Sequence, residues 1–134
     1  MYPAYQQLVR EQGVEAWVKQ NAGRRLTPGE VDPAFNAWYS GVMCRTDPRT
    51  VEGTLGMLAN VDLTETLPDI RVPVLTIAGD LSDSVGRSQE VAAKVPNGVY
   101  KAVPGIAGFV QHEAPEACVA LWRAWVKGLG ASTR

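Results

Sequence analysis

Val72-Pro73-Val74-Leu75-Thr76-Ile77-Ala78-Gly79 is a short, nearly continuous apolar run, rich in β-branched residues, between the charged Asp69-Ile70-Arg71 and a polar stretch from Gly79 to Gly86. A strand with one solvated face alternates apolar and polar residues, so an unbroken run predicts a strand buried on both faces of a parallel sheet. Beyond the polar loop, Arg87 to Val95 reads as a helix ended by Pro96-Asn97-Gly98. Val99 to Val103 reads as a second strand that stops at Pro104-Gly105. Strand, helix and strand predict one right-handed βαβ unit. Glu113-Ala114-Pro115-Glu116 then opens a last helix with an apolar stripe of Cys118, Val119, Leu121, Trp122, Trp125 and Val126, both tryptophans being expected on its core side.

Upstream the rhythm is helical. Tyr5 to Arg25 carries Leu8, Val9, Val14, Trp17 and Val18, with a break or bend at Gly13. Leu26-Thr27-Pro28-Gly29 is a turn, and Asp32-Pro33 supplies an N-cap followed by proline at the first helical position. The helix that follows, to about Cys44, carries Phe35, Trp38, Tyr39, Val42 and Met43, and Asp47-Pro48 repeats the start signal for a helix to about Ala59. The expected organisation is a helical, cap-like segment over residues 1–66 and a β-α-β-α segment over 67–134, joined in one unit of the α/β class.

The chain has 134 residues, 46% apolar and 20% charged, with formal charge −1. That is the balance of an ordinary soluble globular domain. Arg and Lys are scattered, and the densest groups, Arg24-Arg25 and Arg123 to Lys127, read as solvated helix faces, so nucleic acid is not an expected partner. No apolar run approaches the roughly 20 residues that span a bilayer, and Met1-Tyr2-Pro3-Ala4 lacks a basic region, which makes a cytoplasmic location the expectation. Cys44 and Cys118 have no Cys or His at metal-ligand spacing, so reduced structural thiols, no metal and no cofactor are expected.

The order of signals from Ile70 onward resembles the end of the α/β-hydrolase fold, in its 3-oxoadipate enol-lactonase, epoxide hydrolase and haloperoxidase-like branch. Ile70 to Gly79 looks like that family's penultimate strand, and Pro104-Gly105-Ile106-Ala107-Gly108-Phe109-Val110-Gln111-His112-Glu113-Ala114-Pro115-Glu116 is similar to its histidine loop and final helix start. Val9 to Ala16 and the helices from Pro33 to Asp62 look like the helical cap inserted before the penultimate strand. The resemblance implies a truncated, C-terminal half of the fold. It also implies a catalytic acid at Asp83, four residues after Gly79, or, in members with the shorter loop, at the third residue, here Ser82.

Two departures bear on chemistry. The family's nucleophile sits in a G-x-S-x-G elbow, and no such pattern occurs in this sequence; Ser40, Ser82, Ser84, Ser88 and Ser132 read as turn or surface serines. The family's histidine stands five residues before the glutamate of the E-x-P-E segment, and counting back five from Glu113 reaches Gly108. Glycine relays no proton, so a Ser-His-Asp relay is not expected to operate. His112, the single histidine, reads either as a displaced acid or base or as a helix-start residue. Asp83 reads either as a remaining general base or as a solvated loop carboxylate. Asp80 and Asp62 read as capping or solvated groups.

Phe35, Trp38, Tyr39, Met43 and Met57 would, by the resemblance, face an apolar substrate cavity. Core packing or a dimer interface suits the same residues. Two parallel strands leave open edges and uncovered faces, so the sheet is expected to be completed by a homodimer, with or without exchanged elements, or by another chain. The expected function is binding of a small apolar molecule with non-hydrolytic chemistry in biosynthesis: cyclisation, rearrangement or proton transfer. A non-catalytic scaffold and one half of a split hydrolase are the alternatives.

Overall fold

Asp-Pro pairs start two of the helices, by the same local mechanism each time. In the computed structural model, which describes residues 1–131, the Asp32 carboxylate accepts hydrogen bonds from the Ala34 and Phe35 amides at 2.8 and 3.0 Å. Helix α3 (Pro33–Cys44) follows. Asp47 accepts from the Arg49 and Thr50 amides at 2.8 and 3.3 Å and opens α4 (Pro48–Asn60). Each carboxylate satisfies amides that the first helical turn would leave unpaired, and each proline has no amide to lose there. The chain divides into two compact units, Met1–Asp62 and Leu63–Arg134. Ser132 lies outside the described residues.

The first unit is helical. Helix α1 (Tyr2–Gln20) is kinked at Gly13, where φ is 82°, and α2 (Ala22–Arg25) is a single turn. Val9, Val14 and Val18 of α1 bury against Val51 and Leu55 of α4, with Tyr2, Tyr5, Trp17, Met43 and Cys44 packed around them. The spacing of the α1 valines, five and then four residues, spans the kink: Gly13 resets the helical phase so that one valine face survives it. Arg10 bonds the Glu52 carboxylate through Nη2 and, at 2.7 Å, through Nε, and Gln6 donates to the Glu52 carbonyl at 3.1 Å. Arg25 corrects the expectation of a solvated Arg24-Arg25 face. It is half-buried, with its guanidinium carbon 4.4 Å from the Trp17 ring centroid.

The second unit holds the sheet. A 3₁₀ turn (Thr64–Asp69) leads to strand β1 (Val74–Gly79). Helix α5 (Val85–Lys94) connects it to β2 (Gly98–Val103). The strands pair in parallel, in register from Val74 with Gly98 to Gly79 with Val103. A short turn of helix, α6 (Val110–Glu113), precedes α7 (Pro115–Ala131). Thr76, in the middle of β1, donates its hydroxyl to the Ser88 carbonyl of α5 at 2.9 Å, which pins the crossover helix to the strand.

Two expectations are corrected here. The strand was expected to be buried on both faces; only Ala78 and Gly79 are buried, and Val74 to Ile77 are half-buried. Among the described residues the sheet has two strands, and a two-stranded sheet has neither neighbours at its outer edges nor enough helices to cover both faces. The last helix was expected to turn both tryptophans inward. Cys118, Leu121 and Trp125 are half-buried, but Val119, Trp122 and Val126 stand 44, 53 and 40% exposed. Each set repeats at spacings of three and four, so the helix carries two apolar faces and uses one of them.

Removing the Asp47 cap (Asp47→Ala) should cost the first unit about 1 kcal/mol in urea melts. Hydrogen bonding from Arg10 holds the Glu52 carboxyl below its ordinary value of 4.5. A carboxyl depressed in the folded state contributes stability that is complete above the unfolded pKa and is lost as pH falls through the folded one. Glu52→Gln should therefore lower the melting temperature at pH 7 and shrink its fall on acidification below pH of about 4.5.

Candidate functional site

Both strands run in the same direction and end level, so the loops that follow them emerge side by side at the carboxyl edge of the sheet. In α/β folds this is where ligands bind. The first loop, after Gly79, carries Asp80, Ser82, Asp83 and Ser84; the second, after Val103, carries Gly105, Gly108 and Phe109 and runs into His112 on α6.

Three hydrogen bonds lace the loops together. The Asp80 amide donates to the Val103 carbonyl at 3.0 Å and the Leu81 amide to the Ile106 carbonyl at 3.1 Å. The Asp80 carboxylate accepts from the Gly105 amide at 2.7 Å. Asp80, a weaker acid-base candidate in the sequence with capping or solvation favoured, ties one loop to the other. The approach is close. A Cβ on Gly79 would lie 2.0 Å from the Ile106 carbonyl oxygen, a separation no side chain tolerates. Gly105 follows Pro104 with φ of 75°, as the third position of a type II turn requires.

Within the first loop, the Ser82 and Ser84 hydroxyls hydrogen-bond each other at 2.9 Å, and the Ser84 amide donates to the Ser82 hydroxyl at 3.2 Å. Ser82, the alternative acid position, is therefore a turn residue at the start of α5. Asp83 is exposed. Gly108 is buried, beyond the laced turn and just before α6. His112 lies inside the wound turn of α6 rather than in the loop. It is exposed, its amide donates to the Phe109 carbonyl at 2.9 Å, and its ring meets Phe109 edge-on with centroids 6.0 Å apart. Asp83 and His112 thus stand on the two laced segments, with Gly108 between the turn and the histidine.

The five apolar candidates of the first unit separate into three settings. Phe35, Trp38 and Tyr39 form a ring cluster on α3, with Phe35 centroids 5.6 Å from Trp38 and 6.2 Å from Tyr39. Met43 packs on the valine core, and Met57 is 57% exposed on α4. A shallow groove between α1, α2 and α3, too narrow to hold a water molecule, is lined by Val18, Arg25, Leu26, Asn36, Tyr39 and Met43 among others. Burial raises the Tyr39 phenol above its ordinary 10.0, against the opposing pull of the Arg25 charge. Among the described residues no three His, Cys, Asp or Glu side chains gather where they could hold a metal ion, and no helix is long and apolar enough to cross a membrane.

No family model matches the chain and no curated protein matches it. Solved structures do. The enol-lactonase from Burkholderia xenovorans LB400 matches with a TM-score of 0.87 at 19% identity, covering 95% of this chain and 50% of that one. A thermophilic esterase from Thermogutta terrifontis, solved with malate bound, matches with a TM-score of 0.78 at 18% identity over 95% of this chain and 48% of its own. MenH from S. aureus gives 0.78 at 18%, over 95% and 50%. The chain therefore has an α/β-hydrolase-like fold, and it spans about half the length of the solved structures it matches.

If the lacing holds the two loops in place, Asp80→Ala should cost about 1–2 kcal/mol and shift the Gly105 and Gly108 amide resonances together, while α1 and α4 resonances stay put. Gly79→Ala should be worse, at more than about 2 kcal/mol, because the clash is with backbone.

Proposed function

We propose that this chain is the C-terminal half of an α/β-hydrolase-like fold, of the enol-lactonase, epoxide hydrolase and haloperoxidase-like branch, put to a use other than serine hydrolysis. The observation that carries this reading is Gly108. It is buried in the loop after β2, in a segment whose neighbours on both sides match the family's histidine loop, and it has no imidazole. A Ser-His-acid relay needs a base between nucleophile and acid, and losing a triad member costs several orders of magnitude in rate. The same glycine argues against one half of a split hydrolase, unless the chain that brings the serine also brings a histidine.

In this reading the chain binds a small apolar molecule against the Phe35, Trp38, Tyr39, Met43 and Met57 surfaces. It carries out a cyclisation, rearrangement or proton transfer in a biosynthetic route, with Asp83 and His112 as the acid and base. Such reactions need shape and one or two proton-transfer groups rather than a covalent intermediate. The exposed stripe of Val119, Trp122 and Val126 and the half-buried β1 support a second copy of the chain as the element that completes the sheet. The exposure of Asp83 and His112 favours one alternative, a non-catalytic binding protein.

The pure chain should hydrolyse a simple aryl ester no faster than buffer plus an equal concentration of imidazole. Saturable ester turnover, abolished by changing Ser82 or Ser84 to alanine, would overturn the proposal.

A further inference from the structure

We propose that α7 is a dimer seam, along which a second copy of this chain packs antiparallel. The proposal rests on the reading that a second copy supplies what this one lacks, and it names the surface by which the copies meet. Val119, Trp122, Val126 and Leu129 form the exposed stripe of α7, with Leu129 37% exposed at its far end. Their spacings of three, four and three residues are those of the narrow apolar line that one helix presents to another in a supercoiled pair. Cys118, Leu121 and Trp125 are the half-buried set, and α7 lies against β1 and β2, so the outer stripe is what remains after the helix has packed on its own sheet.

The charges beside the stripe select the partner, the direction and the register. On one flank stand the exposed Glu116 and Arg123, seven residues and so about 10 Å apart along the same line of the helix; on the other stand Cys118 and Trp125. In a parallel pair the first flank of each helix meets the second flank of the other, which would set each charge against Cys118 or Trp125. In an antiparallel pair like flanks meet. A two-fold axis passing between Val119 and Trp122 then lays Val119 on the partner's Trp122 and Val126 on the partner's Pro115. It also puts Glu116 across from the partner's Arg123, and by symmetry does so twice. Sliding the helices by one heptad, to lay Leu129 on the partner's Val119, would bring Arg123 against the partner's Arg123 and set like charges together.

This flank therefore complements its own reversed copy in one register. A stripe that receives an unrelated chain has no need of charges matched in that way, and the self-match is the observation that selects a second copy. One helix of 17 residues against its twin makes a small interface, at or below the low end of the roughly 1,200–2,000 Å² of stable complexes. A reversible dimer with a Kd on the order of 10 μM is expected.

Sedimentation equilibrium of the full chain, from about 1 μM to about 1 mM, should follow a monomer–dimer equilibrium that Trp122→Ala weakens at least about tenfold. Glu116→Arg and Arg123→Glu, each alone, set like charges against each other at both ends of the seam and should each weaken association about tenfold, with helical circular dichroism unchanged because both side chains are exposed. The double variant, and an equimolar mixture of the two single variants, should return to within about twofold of the original affinity, since each restores opposite charges across the seam. A chain that stays monomeric throughout would overturn the seam and the second-copy reading together. A dimer indifferent to both charge reversals and to Trp122→Ala would overturn the seam alone and place the contact elsewhere. Single variants that weaken association without rescue in the double variant or the mixture would overturn the antiparallel register.

Discussion

The parallel pairing of β1 with β2, and the close backbone approach it forces at Gly79, is the constraint on which the rest of the second unit depends. Because the two strands end level, Asp80 reaches the Gly105 amide and Leu81 reaches Ile106. Those contacts set where both loops leave the sheet, and hence where Asp83, Gly108 and His112 stand. The site is thus built by backbone geometry, with side chains added to it.

The sheet that makes this frame is also the least self-sufficient part of the chain. Burying apolar surface is the main favourable term in folding, and β1 leaves Val74 to Ile77 only partly covered while α7 turns Val119, Trp122 and Val126 outward. The helical unit has no such deficit along α1, where three valines meet Val51 and Leu55. Its half-buried charge is Arg25, stacked on the Trp17 ring.

Local signals were legible in the sequence and distant ones were not. Asp32-Pro33 and Asp47-Pro48 start helices at the residues the motif names, because a cap is made within three residues of itself. The first strand reads from Val72 but begins at Val74, since Pro73 has no amide and the first cross-strand bond is from Val74 to the Asn97 carbonyl. Periodicity could not choose between the two faces of α7, as both are apolar; the choice of Cys118, Leu121 and Trp125 is made by packing. Asp80 gave a weak sign of its role, an acid directly after the strand glycine, with its partner 25 residues away after Pro104. Arg25 gave none. Two adjacent arginines look alike in sequence, and only the chain's break at Asn21 turns one of them onto Trp17. Among the site residues, the sequence put Asp83 in the loop after the first strand and offered His112 as a helix-start residue, and it left Phe35, Trp38, Tyr39, Met43 and Met57 as one group, which the structure divides between a ring cluster, the core and an exposed face.

The central claim is that Gly108 leaves no base to activate a serine in this fold. The most direct test is covalent labelling of the protein, together with any chain that co-purifies with it, by a fluorophosphonate that reacts with activated serines, read by peptide mass spectrometry. The account predicts no adduct on any serine of the assembly. An adduct on Ser82, Ser84 or a serine of a co-purifying chain, formed in its folded state and lost on denaturation, would contradict it.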